Sequence, residues 1–355
     1  MGQERLYPRQ VQIFVSEVCA EGCGYCPYTL MSPEKRRRLR SKELPIEQWQ
    51  EASKFLYEKM GIKLFTLIGG EPTAKRGIER LVAFINKELP GTEILLLTSG
   101  IPLLKNENLR RKLIESGMRN VIVSIDGIKE KPNLEIDLTG ELKALKRGSQ
   151  RKSVLGLYFL LRLRQEYPQV PFRFGAGCIV NKETLDLILP TYEYLAKHKI
   201  YLNLCPEQTI CFARQSDTAL GLEDRNKLVG ISEELVRIKQ EPGNFLMPSE
   251  DFLRQLPTIG IEQSYRCSER PFPSTIHLAS DGGVPFCNWH RGNMEGDFNI
   301  MELVNLKRDF EEWLFAWRTD ENGKRCSCSW TFPDRVGAYS PSAPPLNPNI
   351  WYGCI

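Results

Sequence analysis

Short apolar runs alternate with amphipathic stretches over the first two-thirds of the chain. The runs are VQIFVS (11–16), KLFTLIGG (63–70), EILLLTSG (93–100), NVIVSIDG (120–127), FRFGAGCIV (172–180) and IYLNLCP (200–206). Each is short, rich in β-branched or other apolar residues, and closes on a small or turn-forming residue, which predicts strands. Between them the spacing predicts helices over 46–60, 78–89, 106–117, 153–167 and 182–198. Strands that are apolar on both faces and alternate with helices form parallel sheets covered by helices. Six such units predict an α/β fold, a partial (β/α)6 barrel of the TIM type. In barrels of this kind chemistry gathers at the C-terminal ends of the strands.

The pattern changes after about residue 215. One amphipathic helix is predicted over 222–240, with a break at EPGNF (241–245). Beyond it come loops, scattered aromatics and further cysteines. HLASDGGVPFCNW (277–289) resembles a hairpin around Asp281-Gly282-Gly283. The Pro-rich tail PSAPPLNPNIWYGCI (341–355) is expected to run extended over the surface. The expected organisation is a barrel over 1–215, a bridging helix and linker over 216–245, and a smaller cysteine-rich α+β domain over 246–355.

Composition narrows the function classes. The chain has 355 residues, 41% hydrophobic and 26% charged, as in ordinary globular proteins. It has no apolar run long enough to span a membrane, and its start, MGQERLYPRQ, is polar, so a cytoplasmic, reducing setting is expected. A net charge of +4 is too weak to imply a nucleic-acid partner. Eleven cysteines against three histidines favour thiolate-bound iron over histidine-rich zinc or iron sites.

The chemistry concentrates in VSEVCAEGCGYCPY (15–28), where Cys19, Cys23 and Cys26 are spaced C-x3-C-x2-C. Three thiolates on one loop can hold a cubane iron–sulfur cluster by three corners, leaving an open iron as a reaction site. A zinc knuckle needs a fourth ligand, and no Cys or His follows Cys26 until Cys178. A reducing compartment argues against a disulfide. Other unusual residues also fall at strand ends: Gly69-Gly70-Glu71-Pro72, then Thr98, then the Ser124–Gly127 stretch SIDG.

These motifs, in this order, resemble those of the radical S-adenosylmethionine (SAM) superfamily over roughly residues 10–206. The resemblance implies that Cys19, Cys23 and Cys26 hold a [4Fe–4S] cluster whose open iron is chelated by SAM. It places Tyr25 near the adenine and Gly69, Gly70, Glu71 and Pro72 around the methionine amino group. Thr98, Ser124, Asp126 and Asn181 are further SAM-pocket candidates. The implied activity is reductive cleavage of SAM to a 5′-deoxyadenosyl radical that takes hydrogen from a substrate carbon. Oxidation, epimerisation or carbon–carbon bond formation would follow. The bland readings are a simple turn for Gly69-Gly70 and helix capping for Ser124 and Asp126.

Cys267, Cys287, Cys326 and Cys328 form a second set. It is similar to the "twitch" or shortened SPASM domain of radical SAM enzymes, which implies one auxiliary iron–sulfur cluster, with Cys354 a possible substitute ligand. A structural zinc site is the alternative. Cys178, Cys205 and Cys211 remain; buried free cysteines are usually small hydrophobes, and the sharper reading is a thiol that gives hydrogen to a substrate radical. The basic run over 35–42 reads as a solvated loop, or as a dock for an acidic electron donor such as flavodoxin or ferredoxin. The expected substrate is a small molecule (a sugar, cyclitol or lipid precursor), because the first strand starts near residue 10 and leaves no room for a peptide-recognition domain. A peptide substrate is the alternative, and a zinc-binding structural or RNA-binding protein the alternative outside enzymes.

Overall fold

The computed structural model describes residues 10–26, 31–128, 149–207, 217–262, 275–284 and 299–305. In chain order these form β1 (Gln10–Ser16), α1 (Pro33–Ser41), α2 (Ile46–Met60), β2 (Leu64–Gly69), α3 (Ile78–Glu88) and β3 (Glu93–Thr98). Then come α4 (Ile101–Lys105), α5 (Glu107–Glu115), β4 (Asn120–Ser124), α6 (Ser149–Glu166), β5 (Arg173–Val180), α7 (Ile188–Lys197) and β6 (Tyr201–Pro206). α8 (Arg225–Gln240), α9 (Glu250–Pro257), β7 (Thr275–Leu278) and α10 (Ile300–Val304) complete the described elements.

All strand pairs are parallel, in the order β6-β5-β4-β3-β2-β1-β7. β6 and β7 are the two edges, so the sheet is an open, partial barrel, and the six expected strands are all present. The seventh is an addition. β7 lies in the stretch assigned by sequence to the C-terminal domain, yet its residues pair with β1 from Gln10↔Thr275 to Ile13↔Leu278. The expected turn at Asp281–Gly283 forms, with Ala279 N donating to Gly283 O at 2.8 Å. The second arm of the expected hairpin lies outside the described residues, as do Cys211, Cys267, Cys287, Cys326, Cys328 and Cys354. Among the described residues no helix is long and apolar enough to cross a membrane.

Strand residues alternate between two cores, as the two-residue period of a strand requires. Val11, Ile13, Val15, Phe65, Leu67, Leu96, Val121 and Val123 join the large core under the helices. Leu64, Leu95, Leu97, Ile122 and Met247 form a separate small cluster on the other face, within the barrel. That cluster is an apolar floor, and the strand ends beyond it are left for polar groups. The same alternation separates two cysteine candidates. Cys178 belongs to the helix-side core with Phe174, Ala176 and Val180, whereas Cys205 lies on the inner face.

The basic run is helical rather than a loop. Ser32 Oγ accepts from Lys35 N at 3.2 Å and Pro33 opens the helix, so α1 carries a side-chain cap and a fixed first turn. It buries no residue, and its basic side chains line a solvated helix just beyond the cysteine loop.

A buried arginine ties the helices on the outer layer. Arg110 of α5 is almost fully buried; Nε and Nη2 donate to Glu166 of α6 at 3.0 and 3.3 Å, and Nη1 donates to Leu103 O at 2.8 Å. Removing the guanidinium takes these hydrogen bonds from Glu166 and Leu103 O and leaves the carboxylate to Arg162, whose Nε also donates to Glu166 Oε1. Arg110→Met is expected to destabilise the fold by about 3 kcal/mol, the lower end for a broken buried pair because Glu166 keeps Arg162 and some solvent. A urea unfolding midpoint unchanged from the parent protein would contradict this.

Candidate active site

The cysteine loop leaves β1 at the C-terminal mouth of the barrel. Its start is fixed from both sides. On one side Gly70 N donates to Ser16 O at 2.8 Å and Glu71 N to Val18 O at 2.7 Å. A Cβ on Gly69 would stand 2.4 Å from Ser16 O, and one on Gly70 would stand 2.7 Å from Val18 O. The two glycines are therefore needed for the approach of the cysteine loop's own backbone. On the other side Glu43 Oε1 accepts from Glu17 N at 2.6 Å and from Ser16 Oγ at 3.2 Å, while Lys75 Nζ sits 3.1 Å from its Oε2. Ser280 Oγ donates to Glu17 Oε1 at 2.6 Å, so the turn after β7 braces the loop too.

Cys19, Cys23 and Cys26 line one cavity of about 240 Å³. Cys26 N donates to Cys23 O at 3.0 Å, a tight turn that brings the last two together. Burial pushes the Cys19 thiol up to about 12, with Glu71, Cys26 and Cys23 adding to the rise against a backbone hydrogen bond at Glu21. Among the described residues no three Cys, His, Asp or Glu side chains converge tightly enough for a single metal ion. A cubane, by contrast, takes each cysteine on a different iron, so thiols spread around one cavity suit it better than they suit a lone zinc.

Most of the remaining candidates share the cavity. Tyr25, Gly69, Gly70, Glu71, Thr98, Ser124 and Asp126 all line it, and so does Cys205. Pro72, Asn181 and Cys178 do not line it. Pro72 opens a 3-10 turn beneath Glu71. Asn181 is fully buried: its Nδ2 donates to Glu207 at 2.7 Å and its Oδ1 accepts from Glu183 N and Thr184 N at 3.0 and 3.1 Å. Cys178 packs in the outer core, where burial pushes its thiol up, and its Sγ donates to Ile179 O at 3.6 Å.

Glu71 is the centre of a saturated network. Oε1 accepts from Thr73 N, Thr73 Oγ1 and Thr98 Oγ1 at 3.1, 2.6 and 2.6 Å. Oε2 accepts from Ser99 N and Ser99 Oγ at 2.8 and 2.7 Å. Its carboxylate thus ties the end of β2 to the end of β3. Thr98 Oγ1 is engaged in the same network and also accepts from Gly100 N at 3.0 Å. Both side chains hold the wall of the site; neither is left open toward a ligand's ammonium.

Asp126 has a partner that the sequence reading missed. Lys152, near the start of α6, is 4% exposed and Asp126 is 1% exposed. Lys152 Nζ lies 2.5 Å from Asp126 Oδ2, 2.8 Å from Tyr25 Oη and 3.4 Å from Cys23 Sγ. Tyr25 Oη donates to Asp126 Oδ2 at 2.5 Å. Burial works against the Lys152 charge, but Asp126 and Cys23 outweigh it and its proton is held more tightly than usual. Burial, then the Asp126 charge, pushes the Tyr25 phenol up. Asp126 N donates to Ser153 Oγ at 2.8 Å, which clamps α6 onto the end of β4. No local pattern marks Lys152; the nearest sequence signal is its place at the opening of the helix after SIDG.

Comparison with known proteins accords with this arrangement. Residues 13–161 match the family described as the radical SAM superfamily. A GTP 3′,8-cyclase of Helicobacter pylori is 27% identical over 301 residues, which is 84% of this chain and 86% of that protein. A GTP 3′,8-cyclase of Staphylococcus epidermidis is 30% identical over 130 residues, covering 36% of this chain and only 37% of that protein. Among solved structures, Streptococcus suis SuiB bound to S-adenosylmethionine superposes with a TM-score of 0.58 at 15% identity, over 89% of this chain and 67% of that one. anSMEcpe with bound AdoMet and the Cp18Cys peptide gives a TM-score of 0.53 at 19% identity, over 97% and 92%. At such identities the two structures speak for a common fold. The family match begins inside β1 and ends inside α6, so the part of the chain that resembles the radical SAM superfamily takes in the cysteine loop, the Gly69–Glu71 turn and the Asp126–Lys152 pair.

Proposed function

We propose that Cys19, Cys23 and Cys26 hold a [4Fe–4S] cluster, that SAM binds in the adjoining cavity, and that the enzyme takes hydrogen from a carbon of a small molecule. The observation that carries this is the shared cavity: all three cysteines and the Gly69–Glu71 turn line it, at the strand ends and above an apolar floor. A volume of about 240 Å³ sits near the roughly 300 Å³ lower end for small-molecule sites, and the curated relatives that match over most of their length or part of it are named for GTP. When bound, cluster and SAM together supply one-electron cleavage of the sulfonium to a 5′-deoxyadenosyl radical.

The chain's own residues supply position and exclusion of water. Gly69 and Gly70 seat the cysteine loop. Glu71 and Thr98 keep the ends of β2 and β3 in register around the cavity. Ser124 is the hydroxyl at the end of β4 that faces the bound molecules, and Cys205 is the thiol placed to give hydrogen to a substrate radical, as Cys178 is not. α1 offers a basic face to a flavodoxin or ferredoxin. Cys267, Cys287, Cys326 and Cys328 hold one auxiliary cluster in the C-terminal part of the chain, 246–355, which follows the barrel (1–215) and the linker (216–245) and whose Thr275–Leu278 strand joins the barrel sheet.

Anaerobic reconstitution tests the metal. The parent protein should bind iron rather than zinc, and the Cys19→Ala, Cys23→Ala, Cys26→Ala triple variant should lose about four irons per chain. Zinc with little iron would reject the enzyme reading. Gly70→Ala is expected to keep the circular dichroism of the fold but to lose most of the iron of this site, because its Cβ would meet Val18 O at 2.7 Å. Full iron loading in that variant would show that the loop does not depend on this contact. For the substrate, reduced enzyme and SAM are incubated in parallel with GTP deuterated on the ribose, with deuterated sugars, and with deuterated peptides. Deuterium is expected in 5′-deoxyadenosine from a small molecule; transfer from peptides alone would move the assignment to peptide modification.

A further inference from the structure

Buried lysines are uncommon and need a charge partner. Lys152 has one in Asp126, which accounts for its charge but not for its position. Its Nζ also reaches 3.4 Å from Cys23 Sγ and 2.8 Å from Tyr25 Oη, both on the cysteine loop. The ammonium is thus directed at a sulfur rather than at solvent.

We propose that Lys152 sets the reduction potential of the cluster held by the cysteine loop, raising it through a hydrogen bond to the Cys23 sulfur, and that Asp126 limits the rise. This rests on the cluster reading above. A donor to a ligating sulfur withdraws electron density from it, and a fixed positive charge beside the cluster favours an added electron. With Lys152 at 4% and Asp126 at 1% exposure, water does little to screen either charge, so both act at close to full strength. Tyr25 serves as the hinge of the arrangement: its hydroxyl donates to Asp126 and accepts from Lys152, so the cysteine loop and the charge pair move together. The step concerned is the uptake of one electron from a low-potential external donor, and no bond or proton changes hands in it.

The test is a dithionite potentiometric titration of full-length, anaerobically reconstituted protein without SAM. It is followed by the electron paramagnetic resonance signal that the triple cysteine variant lacks. At equal iron content Lys152→Met should shift the midpoint to more negative potential, Asp126→Asn to more positive potential, and Lys152→Arg should stay near the parent value. A purely structural pair would change stability or iron content in all three without opposite shifts in potential. Should Lys152→Met fail to load iron, Asp126→Asn and Lys152→Arg decide: an unshifted Asp126→Asn overturns the proposal. Equal midpoints across iron-loaded variants, including the case where Lys152→Met weakens only SAM binding, also overturn it. A parent protein that binds no iron overturns the cluster reading instead.

Discussion

The site depends on one close approach between two backbones. Gly70 N and Glu71 N donate to Ser16 O and Val18 O, and the glycines leave no side chain in the way. This extends the β1–β2 pairing past the strand proper, after a register irregularity between Phe14 and Ser16. The cysteine loop is therefore an outgrowth of the sheet rather than a free segment. Everything near it serves that seam. Glu71 anchors one side to β3 through Thr98 and Ser99, while Glu43 gathers Glu17 N, Ser16 Oγ and Lys75 on the other.

Charge placement follows from the same seam. Pinning the loop at its start leaves Tyr25 and Cys23 to be fixed from the opposite wall, and the Asp126–Lys152 pair does so from β4 and α6. Both ends of the loop are held by carboxylates, Glu43, largely covered, at the start and Asp126, fully buried, near the end. Each carboxylate has a lysine partner, Lys75 or Lys152. Buried ion pairs contribute little to stability on their own but resist rearrangement, because separating them strands a charge. The loop gains definition from them more than strength.

Much of the barrel was legible because strands covered on both faces read as unbroken apolar runs. The same rule hid β7: THIS short edge, Thr275–Leu278, has only four residues in a stretch dominated by turn signals. α1 carried its own signals in Ser32 and Pro33, but the density of charge over 35–42 outweighed them in a reading based on apolar periodicity. At the site, most of the motif residues line one cavity. Glu71 and Gly70 read from their motif as ligand contacts; their bonds to Ser99, Thr98 and the cysteine loop show only in the folded chain. Cys178 and Cys205 could be told apart only once the strands were registered, since one step of phase decides which face a side chain takes. Lys152 was invisible for a simpler reason: its partners lie far away in sequence, at Cys23, Tyr25 and Asp126.

β7 reaches back from the far end of the described chain to pair with β1, and the turn after it holds Glu17 and, through Ser280 O, Leu44 N at 2.8 Å. Contacts so distant in sequence close late, because the intervening chain must first be ordered. During synthesis the cysteine loop emerges early, but its brace does not exist until most of the protein has been made. The order of folding thus delays the finished cysteine loop until the barrel around it is built, and a nascent chain carries three cysteines without yet carrying their shared cavity.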